Sequence, residues 1–438
     1  MRGTINIEIK DVDKLANQLC YCSENESYSI VLQSNGYRND NELLKHASRY
    51  QLLAAFGVEE IICPSNNHFH ELREAIKCSD WLFGFLGYDL KNETESLTSE
   101  NIDGLGFPDM LFFRPSLVFA VEDNLLKIHY SKNRFNSHSA RELFESIMNT
   151  PSANGEEKYD IHLNERYSKA EYLETVNEVL GHIQRGDIYE MNLCQEFYTS
   201  ACTINPYKSY INLNAVSPTP FSAFGKFNDK FLLCASPERF LQKRGNKVVS
   251  QPIKGTGPRG QNIEEDELFR EKLKNDPKER AENIMIVDLV RNDLSRIAQK
   301  NTVKVDELCG AYRFKQVNQL ISTVSCIAKQ NYDIVDILKA TFPMGSMTGA
   351  PKVSAMKLIE SYERSKRGLY SGSVGYIDPA GDFDFNVVIR SILYNATKQY
   401  LSYTVGGAIT SGSAPEKEYN ECLLKAKAIN QVLKNNSK

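Results

Sequence analysis

Two pairs of glutamates lie in stretches of helical pattern, and the members of each pair are three residues apart. Glu279 and Glu282 form the first pair, and Glu418 and Glu421 form the second. Residues three apart share one face of a helix, and carboxylates from two helices suit Mg²⁺, which keeps several waters and takes few protein ligands. The spacing therefore favours a magnesium site, although acids near helix N-termini also serve as caps and offset the helix dipole.

A lysine occupies a position from which a side-chain amine can reach a ligand. Lys254 follows a strand-like stretch and Pro252, and it precedes Gly255 and Gly257, which allow a tight turn or a close approach. An amine there is a nucleophile if burial or a nearby cation lowers its pKa from about 10.4. The local pattern leaves three interpretations open: a nucleophile, a Schiff-base lysine for pyridoxal phosphate, or a solvated lysine in a turn.

Anionic ligands have three candidate binding features. The glycine-rich stretches 342–352 and 405–413 offer free backbone amides, and neither has the GxxxxGK[ST] or GxGxxG pattern of a nucleotide site. Arg390 follows three apolar residues of an expected strand, so an inward-facing guanidinium there needs an acidic partner. That partner is either a substrate carboxylate, bound through two hydrogen bonds, or an internal acid such as Asp384.

The bulk composition narrows the class of protein. The chain has 438 residues, 41% of them hydrophobic, with a net charge of −4 and ten cysteines. This length suits two domains or one large layered unit, and the absence of a basic excess argues against a nucleic-acid partner. The sequence contains no CxxC pair, so its cysteines do not indicate a zinc site. Without a signal-peptide pattern or an apolar run of about 20 residues, we expect no membrane association and a soluble, cytoplasmic protein with reduced thiols.

The elements expected to position these residues are mixed helices and strands without a βαβ repeat. We therefore predict an α+β fold with large antiparallel sheets, divided into an N-terminal part, residues 1–150, and a catalytic region, residues 160–438. Periodicity predicts helices at 41–56, 168–186, 276–300, 335–342, 352–361 and 415–434. Alternation and apolar runs predict strands at 28–32, 81–89, 116–121, 187–197, 221–227, 231–235, 247–251, 370–378, 383–394 and 400–409.

Eight motifs occur in an order that resembles the chorismate-utilising enzymes. This family contains anthranilate synthase component I, aminodeoxychorismate synthase component I, isochorismate synthase and salicylate synthase. The resemblance covers about Ser168 to Lys434 and is looser before it. It implies two large antiparallel sheets packed together and flanked by helices, with one magnesium-dependent chorismate site. The motifs are residues 186–189, 236–238, 252–256, 278–283, 345–352, 367–372, 389–391 and 418–425.

The resemblance also implies roles for individual residues. By position, Glu282 and Glu421 correspond to the metal ligands, with Glu279 and Glu418 in support. Glu238 corresponds to the general acid that protonates the departing C4 hydroxyl, which is needed because hydroxide is a poor leaving group. The residues that correspond to the substrate-binding groups are Thr256, Gly345, Ser346, Tyr370, Arg390, Gly407 and Lys425.

Within the family, the residue at position 254 separates two branches. The pattern Pro-Ile-Lys-Gly-Thr resembles the aminodeoxychorismate synthases, whereas anthranilate synthases have alanine in place of the lysine. If the amine of Lys254 adds at C2 while hydroxyl leaves C4, ammonia can then add at C4 and expel the lysine. A tethered amine competes strongly for C2. We therefore expect 4-amino-4-deoxychorismate, a precursor of 4-aminobenzoate and folate, as product, with anthranilate formation as the alternative.

Three positions depart from the pattern of the family. Glu190 stands where water-adding members have lysine and ammonia-using members often have glutamine; it can orient ammonium, assist proton transfer from Lys254, or only pair with a neighbour. Gln319 replaces a histidine associated with pyruvate elimination, which argues against aromatisation. Gln33 replaces a glutamate of the tryptophan pocket of relatives, so bound tryptophan is not expected.

The expected partners are small molecules and one further subunit. Chorismate and ammonia are the expected substrates. No segment of the sequence offers a candidate Cys-His-Glu triad of a glutaminase, so we expect a separate glutamine amidotransferase subunit to supply the ammonia. A silent chorismate-binding subunit is disfavoured because all four helical glutamates are present.

Overall fold

The structure is a computed structural model, and it describes residues 2–37, 48–150, 159 and 161–434. In this part of the chain the strands are β1 (Arg2–Glu8), β2 (Tyr28–Gln33), β3 (Leu52–Phe56), β4 (Glu60–Ile62), β5 (Leu82–Leu86), β6 (Met110–Arg114), β7 (Leu117–Glu122), β8 (Leu125–Ser131), β9 (Asn164–Glu165), β10 (Glu190–Thr199), β11 (Phe221–Phe227), β12 (Lys230–Ser236), β13 (Arg239–Arg244), β14 (Lys247–Gln251), β15 (Ile253–Gly257), β16 (Lys304–Arg313), β17 (Asn318–Ile327), β18 (Gly349–Ala350), β19 (Ser373–Ile377), β20 (Phe383–Asn386), β21 (Ser391–Asn395) and β22 (Tyr400–Thr410).

In the described part of the chain, the helices pack mainly on the outer faces of the sheets. They are α1 (Val12–Cys22), α2 (His68–Ile76), α3 (Lys91–Thr94), α4 (Ser137–Asn149), α5 (Lys169–Arg185), α6 (Pro206–Val216), α7 (Ile263–Asn275), α8 (Pro277–Ile297), α9 (Ile334–Thr341), α10 (Lys352–Tyr362), α11 (Pro415–Lys425) and α12 (Lys427–Lys434). Across these ranges, none of the helices combines the length and the apolar character that crossing a bilayer requires.

The strands form two large antiparallel sheets, which confirms the predicted fold class. The larger has twelve strands in the order β1-β8-β7-β3-β2-β11-β12-β21-β22-β10-β18, with β9 on β10. The smaller has ten in the order β15-β17-β14-β13-β20-β19-β5-β6-β4, with β16 on β17. Strands from before residue 150 pair with strands from after residue 160 in both sheets, as β2 does with β11 and β5 with β19.

The main core lies between the inner faces of the two sheets. Phe85 of β5 in the smaller sheet and Phe227 of β11 in the larger one have ring centroids 4.8 Å apart. Side chains alternate along a strand, so Ile30 of β2 belongs to this core while its neighbour Val31 faces the second core, beneath the helices of the larger sheet. The strands thus bury one face against the other sheet and the opposite face against helices, as expected for an α+β fold.

Helix α5 forms as its sequence predicts. The side chain of Ser168 accepts a hydrogen bond from the backbone of Glu171, whose carboxylate accepts one in return, and the helix ends at Gly186 with a φ of +83°. The helix predicted at 415–434 is interrupted instead, because α11 ends at Lys425 and α12 begins at Lys427.

Two other predictions from the sequence were wrong, and the first of them lies partly outside the described residues. The helix predicted at 41–56 is contradicted at its end, where Leu52–Phe56 is the buried strand β3; residues 41–47 are not described. The strand predicted at 383–394 is broken between Asn386 and Ser391. Arg390 lies in this break with a φ of +52°, so it is not a strand residue as predicted. Helix α7 was not predicted.

Candidate active site

A cavity of about 410 Å³ opens where strands of both sheets meet helices α8 and α11. Strand β15 of the smaller sheet supplies Lys254 and Thr256, and β22 of the larger sheet supplies Thr404 and Gly406. The predicted residues that line the cavity are Glu238, Lys254, Thr256, Glu279, Glu282, Gln319, Ser346, Tyr370, Arg390, Glu418, Glu421 and Lys425. Side chains that are scattered over almost 190 residues of sequence therefore share one cavity.

Lys254 faces into the cavity and forms an ion pair with Glu190. The distance between Lys254 Nζ and Glu190 Oε1 is 2.9 Å, and the two side chains are 11% and 1% exposed. Burial lowers the pKa of Lys254, but the carboxylates of Glu190 and Glu282 outweigh it, so the net pKa is raised. The solvated interpretation of this lysine is therefore wrong. The expectation that burial or a cation lowers its pKa is not met in the protein without ligands.

Glu238 lies between strands β12 and β13 with its carboxyl group buried. Burial raises the pKa of Glu238 to about 7, although the hydroxyl of Ser346 and the charge of Lys254 partly offset this effect. A short turn holds the residue in place, because its backbone amide donates to Ser236 Oγ over 3.2 Å. A carboxyl group with a pKa near neutral can carry a proton to a leaving group.

The four glutamates of the predicted metal site all line the cavity, and two lysines form ion pairs with three of them. Lys278 Nζ lies 3.7 Å from Glu282 Oε1 on its own helix and 3.7 Å from Glu418 Oε1 on helix α11. Lys425 Nζ lies 2.6 Å from Glu421 Oε1. Burial raises the pKa of Glu282 to about 7, although the charges of Lys254 and Lys278 partly offset this effect. The ammonium of Lys425 lowers the pKa of Glu421.

The oxygen donors of this cluster fit Mg²⁺. Mg²⁺ is usually bound through one or two carboxylates, with waters and substrate completing its shell. The described residues contain no group of three or more acidic, histidine or cysteine side chains already arranged around a point, so the helices do not form a closed cage. The ammonium of Lys278 between Glu282 and Glu418 shows that a cation is accommodated between the two helices.

Glycines bring the backbone close to these acids. A Cβ atom on Gly255 would lie 3.1 Å from Glu279 Oε2, and one on Gly407 would lie 3.3 Å from Glu418 Oε2. Gly407 does not itself line the cavity, and neither does Gly345, which packs against Leu289 of helix α8. Two of the predicted substrate-binding residues therefore lie beside the cavity wall, and their role in substrate binding stays a prediction.

Arg390 lies at the cavity wall. Its predicted internal partner, Asp384, instead forms a buried pair with Arg239, with Nε 2.8 Å from Oδ1. Among the residues that the structure describes, no carboxylate lies within 4.0 Å of the Arg390 guanidinium. Burial lowers the pKa of Arg390, and the nearby Tyr370, Glu421 and Glu238 partly counter this. The guanidinium is available for the carboxylate of a ligand.

Polar residues outside the predicted set hold the walls together. Asn283 Nδ2 donates to the backbone oxygen of Lys254 over 3.1 Å, so helix α8 fixes the strand that carries the lysine. Arg367 donates to the backbone oxygens of Met347 and Asn192, at 2.6 and 2.9 Å, and ties the 345–347 turn to β10. Asn283 and Arg367 belong to two of the sequence motifs. The sequence does not predict their contacts, because the carbonyl groups that they bind are distant along the chain.

Gln319 and Gln33 have different surroundings. Gln319 lies in β17 on the cavity wall, and its Oε1 is buried without a hydrogen-bond partner among the described residues. Gln33 lines a second, small cavity of about 50 Å³, where its Oε1 accepts a hydrogen bond of 2.7 Å from Tyr210. The glutamine that replaces the glutamate of relatives thus has an internal donor, and its effect on tryptophan binding remains a prediction.

Comparison with known proteins gives this cavity a family. Residues 28–431 match the family described as chorismate binding enzyme, and the chain belongs to that family. It is therefore an enzyme of the chorismate-binding class. The chain is 36% identical over 357 residues to anthranilate synthase component 1 of Thermus thermophilus, covering 79% of this chain and 76% of the relative. It is 32% identical over 360 residues to aminodeoxychorismate synthase component 1 of Bacillus subtilis, covering 80% and 76%.

Solved structures agree with the fold. Anthranilate synthase component I from Streptococcus pneumoniae superposes with a TM-score of 0.75 at 26% identity, covering 90% of this chain and 95% of that one. The menaquinone-specific isochorismate synthase from Escherichia coli has a TM-score of 0.77 at 18% identity, covering 99% and 95%. The second likeness concerns the fold alone. Relatives at similar identity carry both the anthranilate and the aminodeoxychorismate names, so sequence identity does not separate these two branches of the family.

Proposed function

We propose that this chain is component I of an aminodeoxychorismate synthase, which converts chorismate and ammonia to 4-amino-4-deoxychorismate. The observation that carries the proposal is Lys254, whose amine lies inside the cavity, 11% exposed and 2.9 Å from the buried Glu190. A tethered amine in a cavity whose buried carboxyl group, Glu238, can hold a proton near neutral pH can begin an allylic displacement. The similarity to the Bacillus subtilis enzyme is consistent with this choice.

In the first displacement, Lys254 adds to the substrate ring. The amine loses a proton to Glu190, its ion-pair partner, and its nitrogen forms a bond to C2. Both conjugated double bonds of the ring shift by one position, the C4–O bond breaks, and Glu238 gives its proton to the departing oxygen, which leaves as water. Glu238 suits this role because burial raises its pKa to about 7.

In the second displacement, ammonia forms a bond to C4 from the ring side that the hydroxyl has left. Both ring double bonds shift back, the C2–N bond breaks, and Lys254 leaves as a neutral amine that takes back its proton from Glu190. The extra proton of the nitrogen now at C4 restores the acid form of Glu238. Nothing is oxidised or reduced, and the net change is hydroxyl for amine at C4.

The charged groups of the cavity orient the substrate. Glu282 and Glu421, supported by Glu279 and Glu418, would hold Mg²⁺, which when bound would anchor a substrate carboxylate and draw electron density from the ring. Arg390, which has no ion-pair partner among the described residues, can bind a carboxylate through two hydrogen bonds. Substrate contacts at Thr256, Ser346, Tyr370 and Lys425 belong to the same proposal.

Ammonia is proposed to come from a separate glutamine amidotransferase subunit. Direct supply of ammonium ions tests the chemistry of this chain without that subunit. A product made from ammonium but not from glutamine, and restored with glutamine only when a glutaminase subunit is added, would support the arrangement.

The alternative is anthranilate synthase component I, which the Thermus thermophilus relative makes a serious candidate. The test is incubation of the chain with chorismate, Mg²⁺ and ammonium, followed by liquid chromatography and mass spectrometry. We expect 4-amino-4-deoxychorismate, which becomes 4-aminobenzoate only after a lyase is added. Formation of fluorescent anthranilate without a lyase would overturn the proposal.

A further inference from the structure

The two acidic helices are joined by a lysine that comes from one of them. Lys278 is in the first turn of helix α8, four residues before Glu282, and its Nζ lies 3.7 Å from Glu282 Oε1. The same Nζ lies 3.7 Å from Glu418 Oε1 on helix α11. Within the described ranges, the contact with Glu418 is the ion pair that links α8 to α11.

The two lysines of the cluster differ in how firmly they are held. Lys425 lies 2.6 Å from Glu421 Oε1, donates a hydrogen bond of 2.8 Å to the backbone oxygen of Gly406, and is 21% exposed. Lys278 has two longer ion pairs, and its side chain is 45% exposed. A long, flexible side chain at an exposed helix start can rotate into the solvent at little cost in free energy, because its charge is then hydrated.

We propose that Lys278 is a displaceable counter-ion, which bridges Glu282 and Glu418 in the metal-free protein and moves out of the site when a divalent cation binds. The inference rests on the magnesium site of the proposed function. Two buried carboxylates that face each other from different helices repel unless a positive charge lies between them. An ammonium and a divalent cation repel in turn, so the two cannot share the position between these carboxylates.

In this role, the two ion pairs of Lys278 are lost when the metal binds. Lys278 therefore weakens the affinity for Mg²⁺ while it stabilises the metal-free helix pair. A lysine with a purely structural role would not combine a weaker affinity for Mg²⁺ with a more stable helix pair. The substitution K278Q removes the competing charge and keeps most of the side-chain length, and K278R retains the charge.

The test uses the full chain after removal of divalent ions, with Mg²⁺ alone as the probe. Isothermal titration calorimetry compares the wild type with K278Q, K278R and R291Q at one pH and ionic strength. R291Q is the matched control for net charge, because Arg291 lies on the same helix in an exposed pair with Asp288. We expect K278Q to bind Mg²⁺ about three- to tenfold more tightly, and K278R and R291Q to stay within about twofold of the wild type.

Thermal unfolding with and without Mg²⁺ is the second measurement. We expect K278Q to unfold at a lower temperature than the wild type without Mg²⁺ and to gain more from saturating Mg²⁺. Equal affinities in K278Q and R291Q, or an equal loss of stability with and without the ion, would overturn the counter-ion role and leave the proposed reaction intact. An absence of Mg²⁺ binding in every variant, including the wild type with chorismate, would overturn both.

Discussion

The amine of Lys254 lies 2.9 Å from the carboxylate of Glu190, and this contact joins strand β15 of the smaller sheet to strand β10 of the larger one. The second oxygen of Glu190 is buried without a hydrogen-bond partner among the described residues. An acceptor of this kind can take a proton from the lysine or from an incoming ammonium ion. The pair therefore places a proton acceptor directly beside the proposed nucleophile.

The first prediction concerns the nucleophile. Lys254→Ala should reduce formation of 4-amino-4-deoxychorismate at least about a hundredfold, because the covalent route is lost. An intact-protein mass spectrum after incubation with chorismate, Mg²⁺ and no ammonia should show an adduct on the wild type and none on the variant. Lys132→Ala, a change at an exposed lysine in a distant turn, should retain both. Full formation of the para-amine by the Lys254 variant would rule out the covalent route.

A second prediction follows from the charge of Glu190. This carboxylate raises the pKa of Lys254, whereas burial lowers it. Glu190→Gln should therefore lower the pKa of Lys254, so adduct formation should begin at a lower pH than in the wild type. Turnover with ammonium should nevertheless fall about tenfold or more, because the proton acceptor is absent. The measurements are adduct formation and product formation across a pH series.

The two readouts separate a catalytic role from a structural one. If Glu190 serves only to hold the cavity in shape, the variant should lose adduct formation and turnover together at every pH of the series. A shift in adduct formation without any loss of turnover would show that another group accepts the proton.

A third prediction concerns the acid. Glu238 must be protonated to assist the leaving hydroxyl, and burial raises its pKa to about 7. At saturating Mg²⁺, kcat/KM should therefore fall above about pH 7, approaching tenfold per pH unit. Glu238→Gln should remove this alkaline decline and lower the maximum about 10²- to 10⁴-fold. The check is a pH series of initial rates.

The neighbour of Glu238 offers a further control on the same carboxyl group. The hydroxyl of Ser346 lowers the pKa of Glu238, so Ser346→Ala should move the alkaline decline to higher pH. A decline that stays in place in both Ser346→Ala and Glu238→Gln would assign it to a different group, and the general-acid role would be wrong.

The sequence predicted the acids, the lysine and the fold class because these depend on local spacing, on motifs and on alternation. It could not predict contacts between distant segments: Glu190 and Lys254 meet only because β10 and β15 belong to different sheets that face each other. The stretch Leu52–Phe56 misled because five consecutive apolar residues fit a buried strand as well as a helix.

Arg390 shows a different limit. Its positive φ breaks an apolar stretch that alternates like one strand, and no glycine or asparagine at the position signals the left-handed backbone. Only the tertiary structure reveals that Asp384 is already paired with Arg239, which leaves Arg390 for a ligand.

The last prediction concerns that buried pair, whose side chains are 1% exposed for Arg239 and 7% for Asp384. Arg239 directly follows Glu238, and its guanidinium also donates to Asp384 Oδ2 over 2.9 Å. Asp384→Ala removes the carboxylate that pairs with the buried guanidinium of Arg239, so the free energy of unfolding should fall by about 3–5 kcal/mol. Asp288→Ala breaks the exposed pair with Arg291 and should cost less than about 1 kcal/mol. Urea unfolding at pH 7 measures both, and similar small losses would mean that water or a neighbouring polar group compensates Arg239.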